Sequence, residues 1–423
     1  MRKVAFRAVN FLIGLMIALS LCGCEEAEIL QEVLRTASID SGTEETSEGN
    51  GPGQGEESGE ENSETDGQTD SRAVPVFLNE EAFCYAYHSL SETEQLWYRD
   101  IAESIGDMGE EVKLDKGGIE QGLDERDVDR IFQCVLMDHP ELFYVEGYTY
   151  TKYNRGDKII AIRFSGTYSM DREQALARKE EIDEAAQILL NEAAGLTNDY
   201  DKVKYVYDTI IKNTEYDLNA TDNQNVYSVF VNHRSVCQGY AKSVQYLLDR
   251  MGVECALVQG SVDTGEGHAW NLVKVNGSYY YVDATWGDAS YQPEEEEVIG
   301  YYVPEINYDY LCVTTEQLLR THILDSYVAM PVCVEVKDNY YVREGAMFTE
   351  YDKEQMKLLF ESAFDRNKPD VTVKCSDLEC FWQILTALID DQEIFDYLGD
   401  SNDTIIYEHN EKQLSMTFWV TNE

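Results

Sequence analysis

Tracing where apolar residues recur along the chain separates stretches with quite different rhythms. Near the start, Arg2, Lys3 and Arg7 precede an apolar run from Phe11 to Leu21. That run is too short to span a bilayer as a helix and has the length of a signal-peptide core. From Asp40 to about Thr69 apolar rhythm disappears: the residues are almost wholly Glu, Gly, Ser, Thr, Asp and Asn, with no aromatic side chain. Such a segment cannot bury enough apolar surface to offset its ordering entropy. Residues 25–74 therefore read as a disordered acidic tether, with a reach of roughly 40 Å. Patterning resumes near Pro75. Helical spacing over Glu92–Ile105 and Glu125–Met137 is followed by two alternating runs, Leu142–Tyr153 and Lys158–Phe164, around Asn154-Arg155-Gly156-Asp157. This predicts two helices and a hairpin. With a charged helix over Asp171–Glu192, it makes residues 75–195 a small α+β domain, expected to pack on its neighbour or shape one wall of a cleft.

The next stretch is the best patterned. Val203, Val206, Tyr207, Ile210 and Ile211 mark one face of a helix over Asp201–Asn213. The Asp/Asn-rich segment 217–225 lacks the sixth-position glycine and closing glutamate of a calcium loop and reads as a solvated loop. A second helix carries Ala241, Val244, Leu247, Leu248 and Met251, and Gly252 supplies its stop. A strand is expected at Cys255–Gln259. Two further strands then flank Asn276-Gly277, the strongest two-residue hairpin signal. Residues 326–423 form a last α+β stretch, with a strand at Cys333–Val336, helices at Lys353–Ala363 and Leu378–Ile389, and a strand near Leu414–Val420.

Composition narrows the function. The 423 residues exceed one compact core, and 43% hydrophobic content is enough for packed ones. A formal net charge of -48 excludes binding to nucleic-acid phosphates, because there is no basic surplus to release counterions. It also repels anionic headgroups, so membrane association would need an anchor. One is expected: Leu21-Cys22-Gly23-Cys24 resembles a bacterial lipobox, which makes residues 1–24 a lipoprotein signal peptide and Cys24 the lipidation site. The chain is then held on the outer face of the cytoplasmic membrane, with protein or peptide partners among cell-wall polymers. Of the ten cysteines, two fall in that signal; the other eight are scattered singly, and buried thiols are as good a reading as bridges. No zinc-type spacing occurs, and no metal or organic cofactor is expected.

Three segments carry chemistry. In Val236-Cys237-Gln238-Gly239-Tyr240-Ala241 the cysteine falls in the first turn of a helix. There the free amides and the positive dipole end favour a charged sulfur and can donate to an oxyanion. Gly267-His268-Ala269-Trp270-Asn271 leads into the Asn276-Gly277 turn, and Val282-Asp283-Ala284-Thr285-Trp286 returns from it. If the turn pairs Val275 with Ser278, His268 faces Thr285, and strand parity places Asp283 on the same face as His268, a diagonal step away. A thiolate, an imidazole to move its proton and a carboxylate to orient the imidazole are the parts of nucleophilic acyl transfer.

These motifs together resemble the core of the transglutaminase-like superfamily, over about 196–325; Tyr308-Asp309-Tyr310-Leu311 through His322 looks like the end of that module. The resemblance implies a papain-like α+β catalytic core between the two flanking domains. It also implies Cys237 as nucleophile, His268 as general acid–base and Asp283 as orienter, acting on peptide or side-chain amides through an acyl-thioenzyme. The second oxyanion donor is unassigned. Tyr240, Tyr280, Trp270 and Trp286 read as core packing before substrate contacts. A catalytically idle envelope scaffold is the alternative from another class.

Overall fold

The computed structural model describes residues 3–6, 75–79, 82–156, 158–288, 306–398 and 404–421. The expected leader (apart from Lys3–Phe6), the lipidation site Cys24 and the tether lie outside them. We number all strands, and the helices of eight or more residues. Strand β1, Lys3–Phe6, is paired far along the chain, as described below. Helix α1, Glu92–Gly106, starts at a capping box of Ser91 and Glu94, and α2, Glu125–Asp138, at one of Asp124 and Asp127. Between them lies the short β2, Val112–Lys113; the hairpin β3, Val145–Arg155, and β4, Lys158–Tyr168, follows, giving sheet order β2-β4-β3. The first strand starts three residues later than expected and ends two later, and the second runs four residues further, to Tyr168. Helix α3, Arg172–Glu192, completes this part.

Helix α4, Asp199–Asn213, buries the apolar stripe predicted for it. Two-residue strands β5, Glu215–Tyr216, and β6, Arg234–Ser235, pair in parallel and bring the chain to α5, Cys237–Arg250. Gly252, at φ +71°, ends that helix in the left-handed region where a Cβ is disfavoured. Strands β7, Cys255–Val262, β8, Gly267–Val275, and β9, Ser278–Val282, then build an antiparallel sheet. With β10, His322–Leu324, its order is β10-β7-β8-β9, and α5 packs across β8 and β7.

The last part contains β11, Met347–Phe348, α6, Lys353–Asp365, β12, Asp370–Cys375, α7, Leu378–Leu385, β13, Thr404–Asn410, and β14, Ser415–Thr421. Its sheet order is β1-β13-β14-β12-β11, with β1 parallel to β13. Two expectations fail here. Cys333–Val336 is not a strand: Val334 and Val336 point to solvent, as does Val332 just before them, and the Cys333 backbone pairs with Thr315 while its thiol donates to the Pro331 carbonyl. The helix expected to Ile389 stops at Leu385 and widens into a π-turn at Thr386–Asp390. A mixed α+β architecture holds throughout. One apolar core draws on residues between Phe77 and Ala346, a second on Phe348 to Phe418, and a third, with Val258, Trp270, Leu272, Tyr281, Val313 and Leu318, is built around the β7-β8-β9 strands.

Candidate active site

Three separate segments converge where α5 meets β8 and the short helix that follows β9. The hairpin turn has φ +50° at Asn276 and +87° at Gly277, and it pairs Val275 with Ser278 as expected. The ladder runs only as far as Asn271 opposite Val282, so His268 does not face Thr285. The reason is local. Asp283 leaves the strand to cap a four-residue helix, Ala284–Gly287, its Oδ1 accepting from the backbone N–H groups of Thr285 and Trp286 at 2.9 and 3.1 Å. Its Oδ2 is thereby turned to His268, whose Nε2 lies 2.7 Å away. Both side chains are almost completely buried.

Cys237 reaches this pair from α5. The Cys237 sulfur is close enough to His268 to help raise the pKa of its ring, and with Nε2 committed to Asp283 the nitrogen left to serve it is Nδ1. Asn271 ties β8 to α5 by donating from Nδ2 to the Ala241 carbonyl, one turn beyond the sulfur. Gly239 lets the helix sit deep, since a Cβ there would fall 1.9 Å from Ser235 Oγ. The start of α5 is open. Every other described helix of eight or more residues has a side-chain acceptor at its N-cap; Val236 provides none. The Gly239 N–H is taken by the Val236 carbonyl at 2.9 Å, which leaves those of Cys237 and Gln238 as the donors for an anion beside the sulfur.

Electrostatics follow from the burial. Desolvation alone would lower the His268 pKa, but the Asp283 carboxylate and the Cys237 sulfur outweigh it and push it up to about 10. Burial likewise opposes ionisation of Asp283, yet His268 and His322 hold its carboxyl well below the usual range. His322 is the residue the sequence motifs did not single out for the site. Its Nε2 lies 3.0 Å from the same Asp283 Oδ2, and its Nδ1 lies 2.8 Å from Thr321 Oγ1. Burial keeps His322 below its ordinary pKa, with Asp283 offsetting part of that effect. Asp283 thus meets a charged imidazole on one side and a neutral one on the other.

Trp270, Trp286 and Tyr310 enclose the two imidazoles, with Trp270 4.9 Å and Trp286 4.9 Å from the His322 ring. Trp270, Tyr240 and Tyr280 are core residues, while Trp286 is only partly buried. His268, Asp283 and His322 turn three donor atoms to within 4.8 Å of one another, enough to ligate a divalent cation. Asp283 already accepts a hydrogen bond from each imidazole.

The model of the transglutaminase-like superfamily matches residues 187–284, from the end of α3 to just past Asp283. The chain carries a transglutaminase-like core domain. Human kyphoscoliosis peptidase is 29% identical over 125 residues, 26% of this chain and 18% of that protein. The mouse protein is 28% identical over the same length. The chain thus spans under a fifth of the length of these curated relatives. A solved TGase structure is 15% identical, covering 38% of this chain and 50% of its own, at a TM-score of 0.25. The match of the transglutaminase-like domain contains Cys237, His268 and Asp283, whereas His322 lies beyond it.

Proposed function

We propose that the transglutaminase-like domain is a thiol enzyme acting on peptide or side-chain amides. The observation that carries this is the Cys237 sulfur at an uncapped helix start, beside an imidazole fixed 2.7 Å from a buried carboxylate. With its proton already held on His268, the Cys237 sulfur attacks the amide carbonyl carbon as the thiolate of a thiolate–imidazolium pair. First-turn amides of α5 stabilise the oxyanion, and His268 protonates the departing amine. The resulting thioester is resolved by water, giving hydrolysis, or by a primary amine, giving cross-linking. Acylation of Cys24 would hold the domain outside the cytoplasmic membrane, where cell-wall proteins and peptides are its substrates.

The protein without its leader is offered Gln-containing and unmodified peptides, with and without a primary amine, and products are scored by mass spectrometry. Cleavage, deamidation or amine incorporation is expected from the wild type and none from Cys237→Ala. A wild-type protein as inert as the variant across the library overturns the reading.

His322 is a positioning residue in this scheme, acting through Asp283. A hydrogen bond to a charged group contributes about 1.5–3 kcal/mol. His322→Phe is therefore expected to lower kcat by about tenfold or more with little change in KM. His322→Gln, which keeps an N–H donor, restores most of it. Equal losses in both variants would mean that ring packing matters and the hydrogen bond does not.

A further inference from the structure

Eight cysteines lie among the described residues, all of them free, and only Cys84 and Cys237 are not buried. Each of these two faces an imidazole that is itself held by a carboxylate. At Cys84 the sulfur is 4.0 Å from His139 Nε2, and His139 Nδ1 is 3.0 Å from Glu141 Oε1. Glu141 Oε1 also accepts from the Asn79 backbone N–H at 2.8 Å, which fixes the carboxylate. His139 and Glu141 are 6% and 5% exposed. Burial alone would lower the His139 pKa; Cys84 and Glu141 outweigh it and push it up to about 10. The other six thiols have no such partner and are driven up by desolvation, Cys134 to about 12 and Cys333 to about 11.

The two sites differ in one respect that selects the chemistry. The amides that follow Cys84, those of Ala86 and Tyr87, both donate to the buried Asp138 carboxylate at 2.8 Å, and Tyr98 Oη donates to it as well. Asp138 fills the place a developing oxyanion would need. An amide carbonyl attacked by Cys84 would develop its negative charge against a carboxylate, so acyl transfer is disfavoured there. Thiol–disulfide exchange develops no oxyanion and needs only an accessible sulfur and a proton partner.

We propose that Cys84 is a second reactive thiol of this protein, one that exchanges with low-molecular-weight disulfides, with His139 as its proton partner and Glu141 as the orienter of that imidazole. In the exchange the Cys84 sulfur, its proton held on His139 Nε2, attacks one sulfur of RS–SR. A bond forms between Cys84 and that sulfur as the original S–S bond breaks. The electron pair leaves on the second RS sulfur, which takes the proton back from His139. Cys84 is oxidised, one disulfide sulfur is reduced, and one thiol is consumed for each one released.

The test uses the leaderless protein carrying Cys237→Ala, so that the catalytic sulfur contributes nothing and the outcome is independent of the amide chemistry above. The probe is 4,4′-dithiodipyridine at about pH 6, read by thiopyridone release, with the modified residue located by mass spectrometry. One fast equivalent at Cys84 is expected, at least about tenfold faster than the thiols of the same protein unfolded in urea. Adding Cys84→Ser removes that equivalent, and adding Glu141→Gln slows it. If the folded protein reacts at Cys84 no faster than the unfolded one, the proposal fails, and this comparison needs no further substitution. A fast reaction unaffected by Glu141→Gln, in a variant with an unchanged circular dichroism spectrum, also overturns it.

Discussion

Asp283→Asn is expected to reduce acyl-enzyme formation by roughly three to four orders of magnitude, about 4–5.5 kcal/mol of barrier, while leaving the fold intact. The side chain keeps its shape, and its Oδ1 can still accept from Thr285 and Trp286. The atom that changes is the one facing two imidazoles. Both His268 and His322 approach Oδ2, so an amide nitrogen there would set donor against donor. His268 relieves the conflict by taking the other tautomer, which places its proton on Nδ1 and points it at Cys237. Without the carboxylate the ring cannot hold a second proton on Nε2, so the imidazolium that keeps the sulfur ionised does not form. Rapid-quench mass spectrometry of the thioester on an activated acyl donor reads this directly. A loss of under about tenfold would remove Asp283 from the mechanism.

The same substitution has a stability signature with a fixed sign. Asp283 has its folded pKa lowered from 3.8, so its contribution is present above that value and lost as acid takes the pH down through the folded one. His268 has its folded pKa raised from 6.5 to about 10, so its contribution is complete below 6.5 and lost as pH rises through about 10. The gap in urea stability between wild type and Asp283→Asn should be widest between about pH 4 and 6.5 and shrink steadily towards pH 10.

How much of this could be read beforehand depends on the range of the interactions. Cys237, His268 and Asp283 each sit in a local signal: a helix start, a strand leading into Asn276-Gly277, and its return. Turn chemistry and strand parity are properties of neighbouring residues, so the convergence of His268 and Asp283 was legible. The capping role of Asp283 was not, because strand alternation looks unbroken through Thr285. His322 escaped as a site residue because it reaches Asp283 by pairing β10 with β7, 60 or so residues back, a choice no local pattern encodes. Cys84 and His139 meet across 55 positions for the same reason. Val332, Val334 and Val336 show the opposite failure, since β-branched alternation without a neighbouring strand leaves valines in solvent.

The C-terminal sheet is joined to the site through a buried charge. Lys374 on β12 places Nζ 2.8 Å from Asp309 Oδ1, with both side chains at most 5% exposed, and Ser415 donates to the other Asp309 oxygen at 2.7 Å. Lys374 Nζ also donates to Gln413, whose Nε2 donates to Tyr310 Oη at 3.0 Å and to Thr321 Oγ1 at 3.4 Å. Thr321 is the residue that meets His322 Nδ1, and His322 meets Asp283. Lys374→Met matches the lysine in length but removes the cation, leaving the Asp309 carboxylate buried with one hydroxyl donor. Removing one partner of such a pair costs about 3–5 kcal/mol, a large part of a domain's stability. Adding Asp309→Leu should recover most of it, because the penalty lies in the uncompensated charge and not in a lost attraction. Urea titration of the two variants measures both effects. If Lys374→Met loses less than about 1 kcal/mol, water reaches Asp309 and the link is a surface one. If the double variant regains stability but not turnover, the polar chain from β12 through Gln413 and Thr321 is what holds His322 against Asp283, and the C-terminal sheet is a working part of the active site.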